Sequence, residues 1–527
     1  MPDQHRFVEN TLAVLAARPD AEAVVQGPRR ITAGEFRALV LRTARALRRR
    51  GLRRGDGVAL LGRNSPEVIA VRYAAHLLGC RVGHLSTGLT AKALASGVED
   101  IGARVLIADP ASAGLVAATP DLAAVPDVLA LGPGGHGDDL LALAARESAD
   151  PVESPTAPDD PCAIHHTGGT TGPPKGICRT YGQIGGIIAA PLPPTLAEVP
   201  DGERLLVCTT LTMFGGFLAD RVLARGGTVV LQDGFDAAAV LDAVERERVT
   251  RLFLPPPLLY ALIDHPAVGD HDLSGLRVLL YGASPASPAR LADALRTLGP
   301  VLVQHYGQNE AGSISLLSAA DHDPARPELL RSVGRPLPGV SVEIRDPAGR
   351  VLPTGRVGEI WVRSPGLMSG YWKRPDLTAE ALRDGWLRTG DLGRFGPTGL
   401  LTLTDRVKDV IVVDTVNVYT TEIEHTLDAH PEVLHSAVYG VPDADGVEEV
   451  HATVVRVPGA AVDAEALRAW ARREQSSVYR LARVAFTDRL PLTEGGKPDK
   501  RLLRRLTGTP AGSLPATPAT SLPGDRT

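Results

Sequence analysis

The residues best suited to chemistry lie in one short run, His166-Thr-Gly-Gly-Thr-Thr-Gly-Pro-Pro-Lys-Gly176. Glycines such as Gly172 let backbone amides approach an anion closely and point at it together. Thr167, Thr170 and Thr171 add hydroxyl donors, and Lys175 adds a mobile positive charge. Such a loop suits a polyphosphate. It is not of the GxxxxGK[ST] type, because Lys175 follows proline rather than glycine. A second glycine-rich turn, Thr493-Glu-Gly-Gly-Lys-Pro498, carries Lys497 near the chain end. Lysine tails are usually solvated charges, so this one needs a reason to act.

The elements that must hold these residues fall into three textures. Residues 31 to 108 alternate helix-like and strand-like pieces: a helix over Ile31 to Arg50, a strand at Val58 to Leu61, a helix at Glu67 to Leu78 and a strand at Val105 to Ala108. The rhythm repeats in the middle, with apolar runs at 205–208, 228–232, 251–254, 277–281 and 301–304. Helical stretches such as Ala237 to Val249 and Pro288 to Leu298 lie between them. Short apolar runs separated by helices predict an α/β fold with parallel or mixed sheets covered on both faces. From about 335 to 405 short alternating strands with Gly and Pro turns predict a β-rich subdomain. An α+β segment follows over about 409–507, with helices at TTEIEHTLDAH and Ala464 to Glu474. The last stretch, 508–527, is Pro, Thr, Ser and Gly with almost no apolar mass, and is expected to be disordered.

Composition narrows the function classes. With 527 residues, the chain is long enough for several domains. A formal net charge of −5 argues against nucleic acid as a partner. The basic run from Arg42 to Arg54 alternates with Ala and Leu and reads as the wet face of an amphipathic helix. Cys80, Cys162, Cys178 and Cys208 are far apart, as for free buried thiols in a reducing compartment. No apolar stretch approaches the roughly 20 residues that span a membrane. The start, MPDQHRFVEN, lacks a signal-peptide profile. A cytoplasmic enzyme without a membrane partner is the expectation.

The phosphate loop resembles the signature of the adenylate-forming superfamily, which includes acyl- and aryl-CoA synthetases, peptide-synthetase adenylation domains and beetle luciferases. Further landmarks follow in the family's order: Tyr281-Gly-Ala-Ser284, His305-Tyr-Gly-Gln-Asn-Glu310, Ser332-Val-Gly-Arg-Pro336, Gly358-Glu-Ile-Trp361, Gly370-Tyr-Trp372, Trp386-Leu-Arg-Thr-Gly-Asp391, Asp405-Arg-Val-Lys408 and Gly495-Gly-Lys497. The resemblance covers about residues 10 to 505. It implies a large N-terminal adenylation domain (1–405), a hinge (406–408) and a small mobile C-terminal domain (409–507). It implies ATP and Mg²⁺, a small-molecule acid, and coenzyme A or a carrier protein as thiol acceptor. By the same resemblance the loop holds the β- and γ-phosphates, with Thr167 counted among the catalytic residues. Gly282, Ala283 and Ser284 wall the adenine site, Tyr306 stacks on the base, and Gly307 and Asn309 line the nucleotide. Glu310 matches the Mg²⁺ ligand. Asp391 accepts from the ribose hydroxyls, and Arg406 donates to the same sugar. Lys408 matches the hinge position. Lys497 matches the lysine that bridges the attacking carboxylate and the α-phosphate.

Three departures bear on the second half of the reaction. Thr212 falls at the position aligned with the family's aromatic or histidine gate. Asp414 and Thr415 stand where relatives usually carry glycine beside a pantetheine arm. Asn309 replaces the common threonine before Glu310. The acid pocket is expected near Thr212, Met213, Phe214, Tyr281 and His305. His305 either contacts the acid or is an ordinary half-buried histidine. No Asp stands in the Thr209–Gly215 segment to hold an amino-acid ammonium, so an aryl or compact acyl acid is favoured. Three functions remain in play: a thiol-acylating ligase; an adenylating enzyme with a non-thiol acceptor, including amide formation or nitrite activation; and a non-catalytic nucleotide binder.

Overall fold

A computed structural model describes residues 3–119, 122, 125, 127–166, 175–191, 202–212, 214–413, 416–443, 448–474, 481–493 and 496–507. The segment 508–527, expected to be disordered, lies outside these residues. Among the described residues two large sheets dominate, one of nine strands and one of eight. The nine-stranded sheet is parallel through its middle, where Thr228–Leu231, Arg204–Val207, Arg251–Leu254, Val278–Gly282 and Leu302–Gln308 lie side by side. The eight-stranded sheet is centred on Gly57–Leu61, Arg81–Leu85 and Ala103–Ala108.

The largest apolar cluster joins the two sheets. Leu60 and Ile107 come from one, and Leu205, Val207 and Val229 from the other. The helices Ala33–Arg49, Pro66–Leu77 and Phe214–Leu223 add to the same core. On the far face of the nine-stranded sheet, Leu252, Leu254, Leu279 and Tyr281 pack under the helices Ala237–Arg246, Pro256–Ile263 and Pro288–Leu298. Strands buried on both faces read as continuous apolar runs, and these do. The first long helix starts at Ala33, not at Ile31. Thr32 accepts the Glu35 amide through its hydroxyl while the Glu35 carboxylate accepts the Thr32 amide, a reciprocal cap that fixes the start. Ile31 instead pairs with Val24. The basic face of this helix is partly covered: Arg45 and Arg48 donate to the carbonyls of Asp150, Pro151 and Glu153.

A five-stranded antiparallel sheet follows, built from Ser341–Arg345, Gly358–Arg363, Leu382–Arg383, Trp386–Phe395 and Leu401–Arg406. The strand Arg335–Pro336, expected to open this β-rich part, belongs to the nine-stranded sheet, where it pairs with Gly312–Leu317. The C-terminal unit packs the helices Thr420–Asp428 and Ala464–Glu474 on the strands Val433–Pro442, Glu448–Arg456 and Leu481–Phe486. It docks on the N-terminal part. His435 meets the ring of Tyr260 edge-on, with centroids 5.8 Å apart. A side chain on Gly496 would stand 3.2 Å from Pro255, so the turn before Lys497 is pressed against the larger body.

Between the two parts Asp405 accepts the backbone amides of Arg406 and Thr420. Lys500 reaches in, donating to the Thr420 hydroxyl at 3.0 Å and pairing with Glu424 at 2.8 Å. Burial pushes the Asp405 carboxyl up to about 6, against the pull of Lys500. The native state therefore holds this proton more tightly than the unfolded chain does. The stabilisation is full below about pH 4 and is lost as pH rises through about 6. Asp405→Asn keeps an acceptor oxygen and carries no charge. Its melting temperature relative to the wild type's is expected to rise by a few degrees between pH 4 and pH 7.5. A melting difference that does not change between the two pH values would refute the assignment.

Candidate active site

The strands Pro161–His166 and Gly176–Thr180 form an antiparallel pair in which His166 lies opposite Gly176. The phosphate loop therefore leaves and re-enters at one point. Thr167, Thr170, Thr171 and Gly172 lie outside the described residues, but their base is fixed. His166 Nε2 meets an Asp100 carboxylate oxygen at 2.8 Å, and the Trp372 indole donates to the Asp100 carbonyl at 2.9 Å. Lys175 closes the loop with its ammonium over the Tyr371 ring, 5.0 Å from the centroid. The Tyr371 hydroxyl donates to Glu310 Oε1 at 3.1 Å. One aromatic ring thus ties the loop lysine to the acid expected to hold a cation.

Asp391 is the hub of the site. It is 6% exposed and lies opposite Arg406 in the antiparallel pair Trp386–Phe395 and Leu401–Arg406. The Tyr306 hydroxyl donates to Oδ2 at 2.8 Å, and the Gln308 amide donates to the same oxygen. Arg406 Nε donates to Oδ1 at 2.7 Å. Asp391 in turn raises the Arg406 guanidinium, and burial pushes the Tyr306 phenol well up, so the phenol keeps its proton and donates.

The expected adenine wall is built at a strand end. Gly282 closes the strand Val278–Gly282 beside His305, where any Cβ would fall 2.1 Å from the His305 carbonyl. Ala283 follows with φ +70°, a left-handed conformation that turns the chain sharply. The Ser284 hydroxyl is buried and has no partner in the described structure. Gly307 is equally confined, 2.5 Å from the Gly312 carbonyl at Cβ. Asn309 and Glu310 sit in the turn between Leu302–Gln308 and Gly312–Leu317.

Of the expected acid-pocket residues, Phe214 and His305 come together, stacked with centroids 4.3 Å apart. His305 bonds Ser313 at 2.8 Å, and burial pushes it down to about 4, so it is neutral at pH 7. Thr212 lies nearby in sequence and bonds the Thr210 hydroxyl at 2.8 Å. Met213 lies outside the described residues, as do Asp414 and Thr415. Tyr281 does not join this wall. Side chains alternate along a strand, and Tyr281 shares the face of Leu279 in the opposite core. There its hydroxyl meets His322 at 2.9 Å.

Lys497 comes from the far end of the chain. Burial and Arg406 push its ammonium down, while Asp391 and Glu310 push it up. Its side chain is exposed and lies within electrostatic reach of all three groups. Lys408, beside Arg406, is pushed down to about 8 by burial and by that guanidinium.

The profile of the AMP-binding enzyme family matches residues 12–372, and that of the AMP-binding enzyme C-terminal domain matches 422–497. The chain belongs to the AMP-binding enzyme family. Within it, the chain is an AMP-forming acid ligase of the acyl-CoA synthetase type, as its named relatives are ligases and synthetases. A feruloyl-CoA synthase from an Amycolatopsis species is 38% identical over 496 residues, covering 93% of this chain and 96% of the relative. An amide bond synthetase from Marinactinospora thermotolerans, solved as a structure, is 39% identical with a TM-score of 0.85, covering 95% of this chain and 99% of that one. ATP-bound MatB from Rhodopseudomonas palustris is 29% identical with a TM-score of 0.85, covering 94% and 98%. The apo form of MatB scores 0.75. No described helix is long and apolar enough to cross a membrane.

Two features of this AMP-binding enzyme are not evident in its sequence motifs. Arg179, in the strand after the phosphate loop, is 2% exposed. It donates to the carbonyls of Asn309 and Gly366 and so braces the turn that carries Glu310. Gln308 anchors Asp391, as described above. Among the described residues no cluster of three His, Cys, Asp or Glu could cage a metal. A lone Glu310 carboxylate fits Mg²⁺, which keeps waters and phosphate oxygens as its other ligands.

Proposed function

We propose that this ligase activates a compact aryl or acyl acid, not an α-amino acid, as an acyl-adenylate and then passes the acyl group to a thiol. One observation carries the reading: Lys497, on a turn of the C-terminal unit packed against Pro255, lies within electrostatic reach of Arg406, Asp391 and Glu310. The closer match to ATP-bound than to apo MatB fits a domain arrangement suited to adenylation.

In the proposed reaction a carboxylate oxygen attacks the α-phosphorus of ATP in line. The bond to the bridging oxygen breaks, and pyrophosphate leaves. Both reactants are anionic, so charge neutralisation limits the rate. Lys497 bridges the carboxylate and the α-phosphate. Lys175 and the loop residues Thr167, Thr170, Thr171 and Gly172 hold the β- and γ-phosphates. Glu310 would hold Mg²⁺, which would supply further positive charge to the phosphate oxygens. Asp391 and Arg406 fix the ribose, and Tyr306 lies against the base. Gly282, Ala283 and the unpaired Ser284 hydroxyl receive the base, with Gly307 and Asn309 beside the phosphates. Phe214 and the neutral His305 offer a flat, uncharged wall that suits an aryl acid. The unit 409–507 then rotates at Lys408 to present another face, which requires the Asp405–Thr420 contacts to part.

A second reading replaces the thiol with an amine. It is favoured by the likeness to an amide bond synthetase and by Thr212, Asp414 and Thr415, whose side chains depart from the thioester-forming pattern. Pyrophosphate release across a panel of acids, followed by mass spectrometry with coenzyme A, a phosphopantetheinylated carrier, amines or nitrite, separates the readings. Acyl thioester formation is the expected result. An amide as the main product would favour the second reading, and no pyrophosphate from any acid would end both.

A further inference from the structure

The aromatic wall continues along the helix Phe214–Leu223 into a polar chamber. Phe214 stacks on His305. Three residues on, Phe217 lies against His165, with centroids 5.3 Å apart. Three further, Asp220 holds Arg72 through two hydrogen bonds of 2.8 and 2.6 Å. A cavity of about 30 Å³ lies among Phe217, Asp220, Arg72, His84 and His165, with Thr212 at its side. That volume holds one or two waters or a single small substituent.

The charges in the chamber are settled, because Arg72 and Asp220 satisfy each other. An anionic substituent would find no free cation among these residues. The imidazoles are not settled. His84 Nε2 lies 3.2 Å from the Gly62 carbonyl, so the proton is on that nitrogen. Its Nδ1 is then a bare lone pair, buried and without a partner among the described residues. His165 Nδ1 is also buried and unpartnered among them. His76 lines the same cavity, but its Nδ1 already meets the Cys162 thiol at 3.5 Å. Burial pushes His84 down to about 4 and His165 to about 3, so both rings are neutral acceptors or donors at pH 7. A buried acceptor left unpaired is unfavourable, and a ligand that donates to it recovers the loss.

We propose that this chamber is a substituent pocket of the acid site: it takes a small hydrogen-bond donor, a phenolic hydroxyl or a ring N–H, at the end of an aryl acid remote from its carboxylate, with His84 Nδ1 as acceptor. The inference rests on the acid-activating reading and narrows its substrate class. A methyl ether cannot donate. A bare ring leaves the acceptors unpaired.

The test is selectivity within matched acids, read as pyrophosphate release. The probes are 4-hydroxybenzoate and 4-hydroxycinnamate with their deoxy and O-methyl counterparts, and indole-5-carboxylate against 1-benzothiophene-5-carboxylate. In at least one set the wild type should prefer the donor-bearing acid by about tenfold or more in kcat/KM, as sites built around a hydrogen bond do. His84→Leu should collapse that ratio to about twofold. His84→Gln, which restores an acceptor oxygen, should recover part of it. The ratio is taken within one protein, so a general loss of activity cancels. A wild-type ratio near one in every set, with pyrophosphate still released, overturns the chamber's role and leaves acid activation standing. It would mean that the cavity holds only water. A ratio unchanged in His84→Leu overturns it equally. If His84→Leu does not fold, the wild-type ratios and His84→Gln decide. No pyrophosphate from any acid would instead end the underlying reading.

Discussion

Replacing Lys497 with alanine should slow acyl-adenylate formation by about two decades or more, the usual scale for loss of one charge stabiliser at a reacting oxygen. ATP affinity should change far less, because the loop, Asp391 and Arg406 remain. The reason is the anion–anion encounter. The carboxylate must come within bonding distance of a phosphate that already carries negative charge, and the ammonium is worth most when both are close. Lys497 already lies within electrostatic reach of Arg406, Asp391 and Glu310, with its turn packed on Pro255. The backbone that carries it therefore needs little further ordering, and the mutation removes a charge held on a fixed base. The pH profile should carry the same signature. Burial and Arg406 lower the ammonium's pKa, so the wild-type rate should fall at a lower pH on the alkaline side than a free lysine would give. The measurement is rapid-quench detection of acyl-AMP with ATP saturating. Transfer from preformed acyl-adenylate to the acceptor should survive the mutation far better than adenylation does. Near wild-type acyl-AMP formation by Lys497→Ala would remove the lysine from the chemistry.

Much of the frame was legible in the sequence because its signals are local. The apolar runs at 228–232, 205–208, 251–254 and 277–281 became parallel strands lying side by side in that order, and the helix Pro288–Leu298 has the predicted bounds. What was not legible depends on contacts between distant residues. Gln308 meets Asp391, and Arg179 meets Asn309 and Gly366; neither pairing leaves a spacing pattern. Arg179 gave one faint sign, a lone charge inside an otherwise apolar strand. Such a charge persists in a core only if backbone carbonyls or anions satisfy it. Tyr281 was placed in the acid pocket because its motif borders the adenine wall. The period-2 alternation of strands turns it to the opposite face. Pairing of Arg72 with Asp220 likewise needs the fold, since it joins a helix from the first third of the chain to one near the middle.

Asp391→Asn should lower kcat/KM for ATP by about 100-fold and leave the KM for the acid nearly unchanged. The substitution keeps the shape and removes the charge, so its cost can be read from the hydrogen-bond inventory. Three donors converge on the carboxylate: the Tyr306 hydroxyl and the Gln308 amide on one oxygen, and Arg406 Nε on the other. A carboxylate can accept all three and still take a ribose hydroxyl through its remaining lone pair on Oδ1. An amide cannot. Either orientation turns an NH₂ group toward a donor, leaving at least one buried N–H or O–H unpaired at about 1–3 kcal/mol. Arg406 also loses the anion that raises it, and the sugar loses a charge-assisted bond. Because Asp391 is 6% exposed, water cannot repair the loss. Isothermal titration with ATP and initial rates at saturating acid provide the measurement. An equal fall in affinity for ATP and for the acid would point to collapse of the whole site. Unchanged ATP affinity would show that the ribose is held elsewhere.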